Sequence, residues 1–371
     1  MTLSVDIRHR QGAFVLEAAF ESGGRLTALF GASGSGKTTL VNLVAGLVRP
    51  REGRIVIGGR VLVDTKAGVF VPAHRRRIGY VFQDARLFPH LTVGQNLRYG
   101  RFFTRAAERY ADMASVVDLL GIGHLLDRRP GLLSGGERQR VAIGRALIAS
   151  PALILMDEPL ASLDDARKAE ILPYVERLRD ETRIQVVYVS HSIAEVSRLA
   201  TDVVVLSDGR VRAAGPAAEV LSRPDALPDG ARDETGALVD LEIASQDDQF
   251  GLTVLRSSAG EWRLPRIDWP VGTTVRARIR ARDVMIMTQA PAGISALNVL
   301  PARIDHVTAG EGADALVTLA IGTDRLLARV TRRSIHALDL GAGRDVYAVV
   351  KSVTFDGANH AHAAPRVTAP D

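Results

Sequence analysis

The sequence predicts an α/β fold with a mainly parallel sheet, followed by a small all-β domain. In the first two-thirds of the chain, short apolar runs alternate with helical stretches. Strands joined by crossover helices form parallel sheets that are covered on both faces. Beyond about residue 222 the apolar runs become short and β-rich, with Gly-containing turns between them. This second texture is typical of a small barrel or sandwich.

The first strand and helix follow one another near the start of the chain. Leu26–Phe30 is a short apolar run that predicts a buried strand. The next apolar residues recur at i, i+3, i+4 and i+7, on one face of a helix that we expect Pro50 and Gly53 to end. These residues are Leu40, Leu43, Val44 and Leu47.

Later segments extend the same pattern. Residues 153–156 and 184–189 are apolar runs that predict fully buried strands. The stretch 165–183 between them predicts a helix, with an interruption or kink near Pro173. Residues 223–236 are rich in Pro, Gly, Asp and Ala, and we interpret them as a linker. The β-rich runs after this linker cover residues 283–288, 315–321 and 345–355.

Composition limits the class of protein. A chain of 371 residues is long enough for two or three domains, and its 46% hydrophobic content excludes a wholly disordered chain. It has no cysteine, which excludes disulfides and thiolate metal sites. The net charge is +5, and the densest basic patch, residues 74–77, suits a solvated or partner-facing surface better than nucleic acid. Since no apolar run approaches ~18 residues, we expect a membrane role only through a partner.

A glycine-rich phosphate-binding motif lies between the first strand and helix. It fits G-x-x-x-x-G-K-[ST], the P-loop pattern of nucleoside triphosphatases, in the required strand–loop–helix context. Glycines let successive N–H groups point at one anion, and the following helix adds the positive end of its dipole. Lys37 offers a charge to the β- and γ-phosphates, and the Thr38 hydroxyl offers a ligand to Mg²⁺. The motif consists of Gly31, Ala32, Ser33, Gly34, Ser35, Gly36, Lys37, Thr38 and Thr39.

A pair of acids follows the strand at residues 153–156. Asp157 and Glu158 stand at its carboxyl end, where α/β folds bind ligands. Asp157 suits the binding of Mg²⁺ or its waters, and Glu158 suits the polarisation of a water that attacks the γ-phosphate. An acidic turn with no such role is the alternative, and the phosphate-binding motif makes it less favoured.

A second glycine-containing segment precedes another predicted helix. Ser134 followed by Glu137 predicts a capping box, a purely structural device. Capping does not require Gly135 and Gly136, however. Glycines at these positions favour the close approach of a ligand to the backbone. A Ser hydroxyl and Gly N–H groups at a helix N-terminus predict a second anion site.

Together these motifs resemble the ATP-binding subunits of ABC transporters, whose signature reads LSGGQ or LSGGE. The resemblance covers about residues 1–230 and extends to three further positions. Gln83 is similar to the family's Q-loop glutamine, Asp164 to its D-loop aspartate and His191 to its switch histidine. One departure is the absence of an unambiguous aromatic residue for adenine stacking upstream of the phosphate loop. His9 and Phe14 are the candidates there.

The resemblance implies a homodimer with two shared ATP sites. Each ATP would be held by residues 31–39 of one copy and by Ser134, Gly135, Gly136 and Glu137 of the other, with Asp164 nearby. It implies catalytic roles for Lys37, Gln83, Glu158 and His191. It also implies that Thr38, Gln83 and Asp157 bind Mg²⁺.

A closer resemblance is to the ATP-binding subunits of molybdate importers. Residues 76–90 and 96–100 look like that subfamily, as do 295–300, 327–334 and 347–353. This implies ATP-driven import of molybdate or tungstate through an integral membrane permease dimer, served indirectly by an extracytoplasmic oxyanion-binding protein. The chain would then be peripheral on the cytoplasmic face of the plasma membrane, with no nucleic-acid partner.

The same resemblance implies a domain division. We expect an ABC ATP-binding domain at 1–230, a linker and β-rich segment at 231–290, and a disordered tail at 358–371. Residues 291–357 would form an OB-like, Mop/TOBE-like oxyanion-binding domain. Where that family often has Arg, this chain has Leu297.

Four residues of the last domain have side chains suited to a tetrahedral dianion: Ser295, Asn298, Ser334 and Lys351. The alternative is that they cap and cross-link a dimerised regulatory barrel.

Three other functions are compatible with parts of this pattern. The chain could be an importer subunit for sulfate or a sugar. A non-transport ABC ATPase acting on nucleic acid or ribosomes is less favoured, because the segment between Lys37 and Ser134 holds no coiled-coil heptads and the chain has one ATPase half. An oxyanion-responsive module without hydrolysis is disfavoured by Glu158 and His191.

Overall fold

The computed structural model describes residues 2–309 and 312–350. The chain divides into two compact units. Of the described residues, the first unit holds 2–220 together with 226–228, and the second holds 221–225, 229–309 and 312–350. Lys351 and the tail at 358–371 lie outside the described residues.

The first unit combines one large sheet with helices. Its strands are β1 (Leu3–Gln11), β2 (Phe14–Ser22), β3 (Leu26–Phe30), β4 (Glu52–Ile57), β5 (Arg60–Asp64), β6 (Val69–Phe70), β7 (Ile78–Val81), β8 (Leu153–Asp157), β9 (Gln185–Ser190), β10 (Asp202–Ser207) and β11 (Arg210–Pro216). Its helices are α1 (Lys37–Ala45), α2 (Val93–Phe103), α3 (Met113–Leu119), α4 (Gly135–Ile148), α5 (Asp165–Glu181) and α6 (Ile193–Leu199), and α7 (Ala217–Leu221) leads out of it.

The sheet of the first unit brings the predicted site loops to one edge. Within the described residues it has 11 strands, in the order β6-β5-β4-β1-β2-β11-β10-β3-β9-β8-β7. β10, β3, β9, β8 and β7 run parallel to one another, and β11 pairs antiparallel with β10. The loops after β3, β8 and β9 therefore leave the sheet side by side. The predicted α/β class is confirmed, and the antiparallel extension through β1, β2, β4 and β5 is an addition that the sequence did not indicate.

Two helices differ from their sequence-based boundaries. α1 ends at Ala45 because Gly46 takes the left-handed conformation, with φ 79°, that caps a helix. Leu47 thus falls outside the helix and is 56% exposed, so its predicted place on one face of that helix was wrong. α5 runs through Pro173 without interruption. One lost backbone bond is tolerated there because Ile171, Leu172, Val175 and Leu178 anchor the helix on both sides.

The second unit is built mainly of antiparallel strands. They are β12 (Gly236–Asp247), β13 (Leu252–Ser257), β14 (Gly260–Pro265), β15 (Thr274–Arg280), β16 (Val284–Met287), β17 (Asn298–Ala309), β18 (Asp314–Ile321), β19 (Asp324–Thr331) and β20 (Asp345–Val350), with helix α8 (Arg332–Leu338). Residues predicted as linker and β-rich segment hold the sheet β14-β13-β12-β15.

The other sheet of this unit has the order β16-β20-β17-β18-β19, and its edge strands β16 and β19 contact one another. This curled antiparallel sheet confirms the predicted OB-like barrel. Both sheets share one core, in which Trp262 and Leu264 of β14 join Val317 and Leu319 of β18. Across the described part of the chain, no helix combines the length and apolar character needed to cross a bilayer.

Candidate nucleotide-binding site

The phosphate loop lies between the buried strand β3 and helix α1. Gly34 and Gly36 adopt φ angles of 80° and 103°, which side chains disfavour. A Cβ on Gly31 would lie 2.2 Å from the carbonyl oxygen of Leu206, so no larger residue fits there. Lys37 is buried, and its Nζ donates hydrogen bonds to the Gly31 and Ala32 carbonyls at 2.8 and 2.9 Å. The loop thus has the backbone geometry that the motif predicted.

A hydroxyl and a carboxylate meet beside this loop. Thr38 Oγ1 donates to Asp157 Oδ1 at 3.2 Å, which joins α1 to the end of β8. Burial raises the pKa of Asp157, and the hydrogen bonds from Thr38 and Tyr80 oppose that rise. A partly buried carboxylate next to a hydroxyl offers the hard oxygen donors that Mg²⁺ prefers, and the cation would offset the burial of the charge. The residues present therefore fit a magnesium ion.

Tyr80 is a functional candidate that sequence reasoning missed. Its hydroxyl lies 3.2 Å from Asp157 Oδ2 and 3.1 Å from Asn42 Oδ1. Burial raises the pKa of Tyr80, so the phenol remains a donor. No local sequence pattern marked it, because its contact with Asp157 depends on the pairing of β7 with β8, which sets Tyr80 opposite Leu155.

Glu158 stands between a lysine and a histidine. Its Oε1 lies 3.8 Å from Lys37 Nζ, and its Oε2 lies 3.5 Å from His191 Nδ1. The backbone of Glu158 has a φ of 46°, a rare conformation for a non-glycine residue, and its N–H donates to the Val189 carbonyl. Burial lowers the pKa of Lys37, and the carboxylates of Glu158 and Asp157 act against this. Three sequence-predicted residues are therefore in one cluster.

The Ser134–Glu137 segment forms the predicted capping box at the start of α4. The Glu137 N–H donates to Ser134 Oγ at 3.2 Å, and the Ser134 N–H donates to Glu137 Oε2 at 2.7 Å. This second bond lowers the pKa of Glu137. A Cβ on Gly135 would lie 2.8 Å from Leu163, beside the residue that caps α5. Among the described residues, no hydrogen bond or ion pair joins this segment to the phosphate loop of the same chain.

Gln83 and Asp164 occupy loops at the same edge of the sheet. Gln83 is exposed, two residues beyond β7. Its loop is fixed to α4, since Gln139 donates to the Phe82 carbonyl and Arg145 to the carbonyl of residue 86. Asp164 caps α5 by accepting from the Arg167 N–H at 2.9 Å.

Phe14, rather than His9, lies beside the phosphate loop. The Phe14 ring is 3.0 Å from where a Cβ of Gly36 would be. It borders an open cavity of about 900 Å³ that is also lined by Gly34 and by the turn from Ser207 to Val211. His9 is not among the lining residues and lies within β1.

The predicted oxyanion residues do not form a cluster in the described part of the second unit. Asn298 uses its side-chain amide to accept from the Arg263 N–H at 2.7 Å and to donate to the Arg263 carbonyl at 3.1 Å. Ser334 bonds to Thr331 at the start of α8. Ser295 is exposed, and Lys351 lies outside the described residues. The contacts of Asn298 and Ser334 are thus those of cross-linking and capping.

Comparison with known families identifies two matching domains. The ABC transporter family matches residues 20–161, and the TOBE domain matches residues 294–354. Among solved structures, cbiO1 of Clostridium perfringens, described as part of the ABC transporter complex cbiONQ, is 27% identical with a TM-score of 0.51. That similarity covers 60% of this chain and 91% of the other. A nucleotide-free ATP-binding cassette from an ABC transporter is 26% identical, with a TM-score of 0.50 over 58% of this chain and 92% of the other.

Two sequence relatives match over nearly their whole length. The molybdenum import ATP-binding protein ModC of Mesorhizobium japonicum is 63% identical over 359 residues, 97% of each chain. The protein of the same name from Rhizobium etli is 54% identical over 96% of this chain and 100% of its own.

Proposed function

This chain belongs to the molybdenum import ATP-binding proteins of the ABC transporter family, and from this premise we propose that it hydrolyses ATP to energise import of molybdate or tungstate. The observation that carries the proposal is the assembly of Thr38, Asp157, Lys37, Glu158 and His191 at one edge of the sheet. These groups come from three separate loops, and their combination matches the needs of phosphate-anhydride hydrolysis.

Each side chain has a defined task in this proposal. Lys37 exchanges its bonds with the loop carbonyls for the β- and γ-phosphate oxygens. Glu158 orients and deprotonates the attacking water, and His191, 3.5 Å away, holds that carboxylate in place. Thr38, Asp157 and Gln83 would hold Mg²⁺, which when bound neutralises phosphate charge.

The ATP site is completed by a second copy of the chain. The capping box already satisfies the backbone at Ser134, so its hydroxyl proton and the glycine N–H groups can face a partner's γ-phosphate. The lack of bonds between this segment and its own phosphate loop, within the described residues, supports a site shared across a homodimer. Asp164, at the start of α5, would lie at the same interface.

For the adenine base, we propose Phe14 as the stacking surface, because it borders the cavity beside the phosphate loop. His9 has no comparable position.

An exposed aromatic cluster supports contact with a permease. Phe88, Tyr99 and Phe103 contact one another in series, and Phe102 packs edge-on against Phe103. The side chains of Phe102 and Phe103 are 81% and 69% exposed. Neighbouring exposed apolar side chains of this size are typical of a surface that binds a partner. Phe88 belongs to the segment that follows Gln83, and its ring contacts Tyr99 of α2, so a permease bound to the cluster is connected to the Gln83 loop. We therefore place the chain on the cytoplasmic face of the plasma membrane, bound to a permease dimer.

We assign selectivity for the cargo to other components of the importer. Asn298 and Ser334 have structural partners, and Leu297 offers no charge to an oxyanion. The contacts in this unit therefore favour the cross-linking role, with an extracytoplasmic oxyanion-binding protein choosing molybdate or tungstate over sulfate. An importer of sulfate or a sugar is the alternative that the experiment below separates.

The test is ATP hydrolysis by Glu158→Gln in vesicles that contain the permease and its binding protein. We expect the rate to fall by about 10²–10⁴ while ATP binding persists, because the general base is lost and the phosphate loop is intact. Glu181→Gln, which removes an exposed carboxylate on α5, is the matched control and should retain full activity. Molybdate or tungstate should stimulate the wild-type rate. Equal stimulation by sulfate would contradict the cargo, and normal turnover by Glu158→Gln would contradict the mechanism.

A further inference from the structure

A buried carboxylate behind His191 has no task in the proposed chemistry. Glu195, on α6, is only 7% exposed. A carboxylate removed from water to this degree costs free energy unless several donors surround it. Glu195 stands four residues after His191, so this buried carboxylate is close in sequence to the proposed catalytic site.

The donors around Glu195 come from the strand that leads to His191 and from α5. Its Oε2 accepts from the Tyr188 hydroxyl at 2.9 Å and from Ser190 Oγ at 2.8 Å. Its Oε1 lies 3.4 Å from Lys168 Nζ. Tyr188 is fully buried, and burial raises its pKa, so the phenol stays protonated and donates. One carboxylate therefore joins β9, α5 and α6.

These contacts fix the backbone on both sides of His191. Ser190 Oγ, which donates to Glu195, also accepts from the Ser192 N–H at 3.0 Å. The Ser192 side chain in turn accepts from the Glu195 N–H at 3.4 Å. Both neighbours of His191 are thus fastened to Glu195, while the imidazole itself is 58% exposed and touches Glu158.

The lysine partner of Glu195 links this arrangement to α5. Lys168 belongs to the first turn of that helix, and its N–H donates to the Asp164 carbonyl at 2.9 Å. The charge of Glu195 therefore ties the His191 turn to the helix that Asp164 caps.

We propose that Glu195 is a positioning residue for His191, whose carboxylate holds the 190–192 turn so that the imidazole stays beside Glu158. This inference rests on the proposed role of His191 in hydrolysis. A displacement of the imidazole by about 1 Å would be enough to reduce catalysis by up to 10²-fold.

The experiment compares Glu195→Gln with a matched control on α5, the helix that packs against α6. Glu176→Gln removes the carboxylate that pairs with Arg198 of α6 at 2.7 Å, without touching residues 190–192. We expect Glu195→Gln to lower kcat about 10–100-fold with KM for ATP unchanged, and the control to lower kcat less than twofold. Equal kcat in the two variants would overturn the proposal. Ser190→Ala, a smaller change, should also lower kcat and covers the case in which Glu195→Gln does not fold.

A double-variant cycle separates positioning from general support of the fold. In a His191→Ala background, Glu195→Gln should cause no further loss of kcat, because the group it positions is gone. A loss of the same size in both backgrounds would overturn the inference. If His191→Ala alone leaves kcat unchanged, the proposed role of His191 fails instead, so the two failures are distinguishable. The NMR signal of the His191 ring should shift in Glu195→Gln and not in the Glu176→Gln control.

Discussion

Replacement of Arg76 by methionine should destabilise the first unit strongly. Arg76 is 2% exposed, although it belongs to a basic run in the sequence. Its Nε donates to the Val71 carbonyl at 2.7 Å, and its Nη1 donates to the Leu43 and Val44 carbonyls at 2.9 and 2.7 Å. The last two belong to the final turn of α1, so the guanidinium caps the helix whose other end carries the phosphate loop.

The size of the effect follows from these contacts. Burial lowers the pKa of Arg76 to about 10, and this shift corresponds to a cost of ~3 kcal/mol for burying the charge. Hydrogen bonds from a charged donor contribute ~2 kcal/mol each, so the three bonds outweigh that cost by about 3 kcal/mol. Arg76→Met keeps most of the apolar volume and removes all three bonds.

Scanning calorimetry of the whole chain measures this loss. For a unit of this size ~3 kcal/mol corresponds to a fall in Tm of about 6–12 °C. Arg75→Met is the matched control, because the neighbouring side chain is exposed and should leave Tm within about 1 °C. A fall below about 2 °C for Arg76→Met, or an equal fall in the control, would refute the reasoning.

Two further changes test the site. Tyr80→Phe removes the hydroxyl that donates to Asp157. The affinity for Mn²⁺ in the presence of ATP, measured by electron paramagnetic resonance, should fall about 10-fold or more. An unchanged affinity would exclude Tyr80 from the metal site. Ser134→Arg and Lys37→Ala should each be inactive when assayed alone with the permease. A mixture of the two variants should regain ATPase activity, because a dimer with one copy of each variant has one shared site that carries neither substitution. Activity no higher than that of either pure variant would count against sharing.

Short-range patterns were read correctly from the sequence. The phosphate loop, the capping box at Ser134 and the strands β3, β8 and β9 depend on residues close together in the chain, and the structure has all of them. Parallel pairing then brings Glu158 and His191 together, as the order of the motifs indicated. The functional roles of these residues stay predictions.

Features that depend on distant partners could not be predicted. Arg76 belongs to a basic run that looks solvated, and only the position of α1 shows that it faces inward. Tyr80 and Glu195 acquire their neighbours from strand register and helix packing, which no local pattern records. Trp262 lies in residues 231–290, which we predicted only as a linker and a β-rich segment, and the core that it shares with β18 depends on packing between distant strands.

The proposed ATP site has a phosphate-loop half and a Ser134 half, and the hydrogen bonds of the two halves differ in the sequence separation of the residues that they join. The bonds that shape the Ser134 turn connect residues three positions apart, whereas the bond from Thr38 to Asp157 spans 119 residues. The turn can therefore form as soon as α4 does, early in folding, while the phosphate-loop half must wait for the whole sheet. A substitution that loosens the sheet should damage the second half first. A copy with a loosened sheet would then lose its own phosphate-loop half but keep the Ser134 half. A dimer of one such copy and one normal copy would therefore retain one intact ATP site.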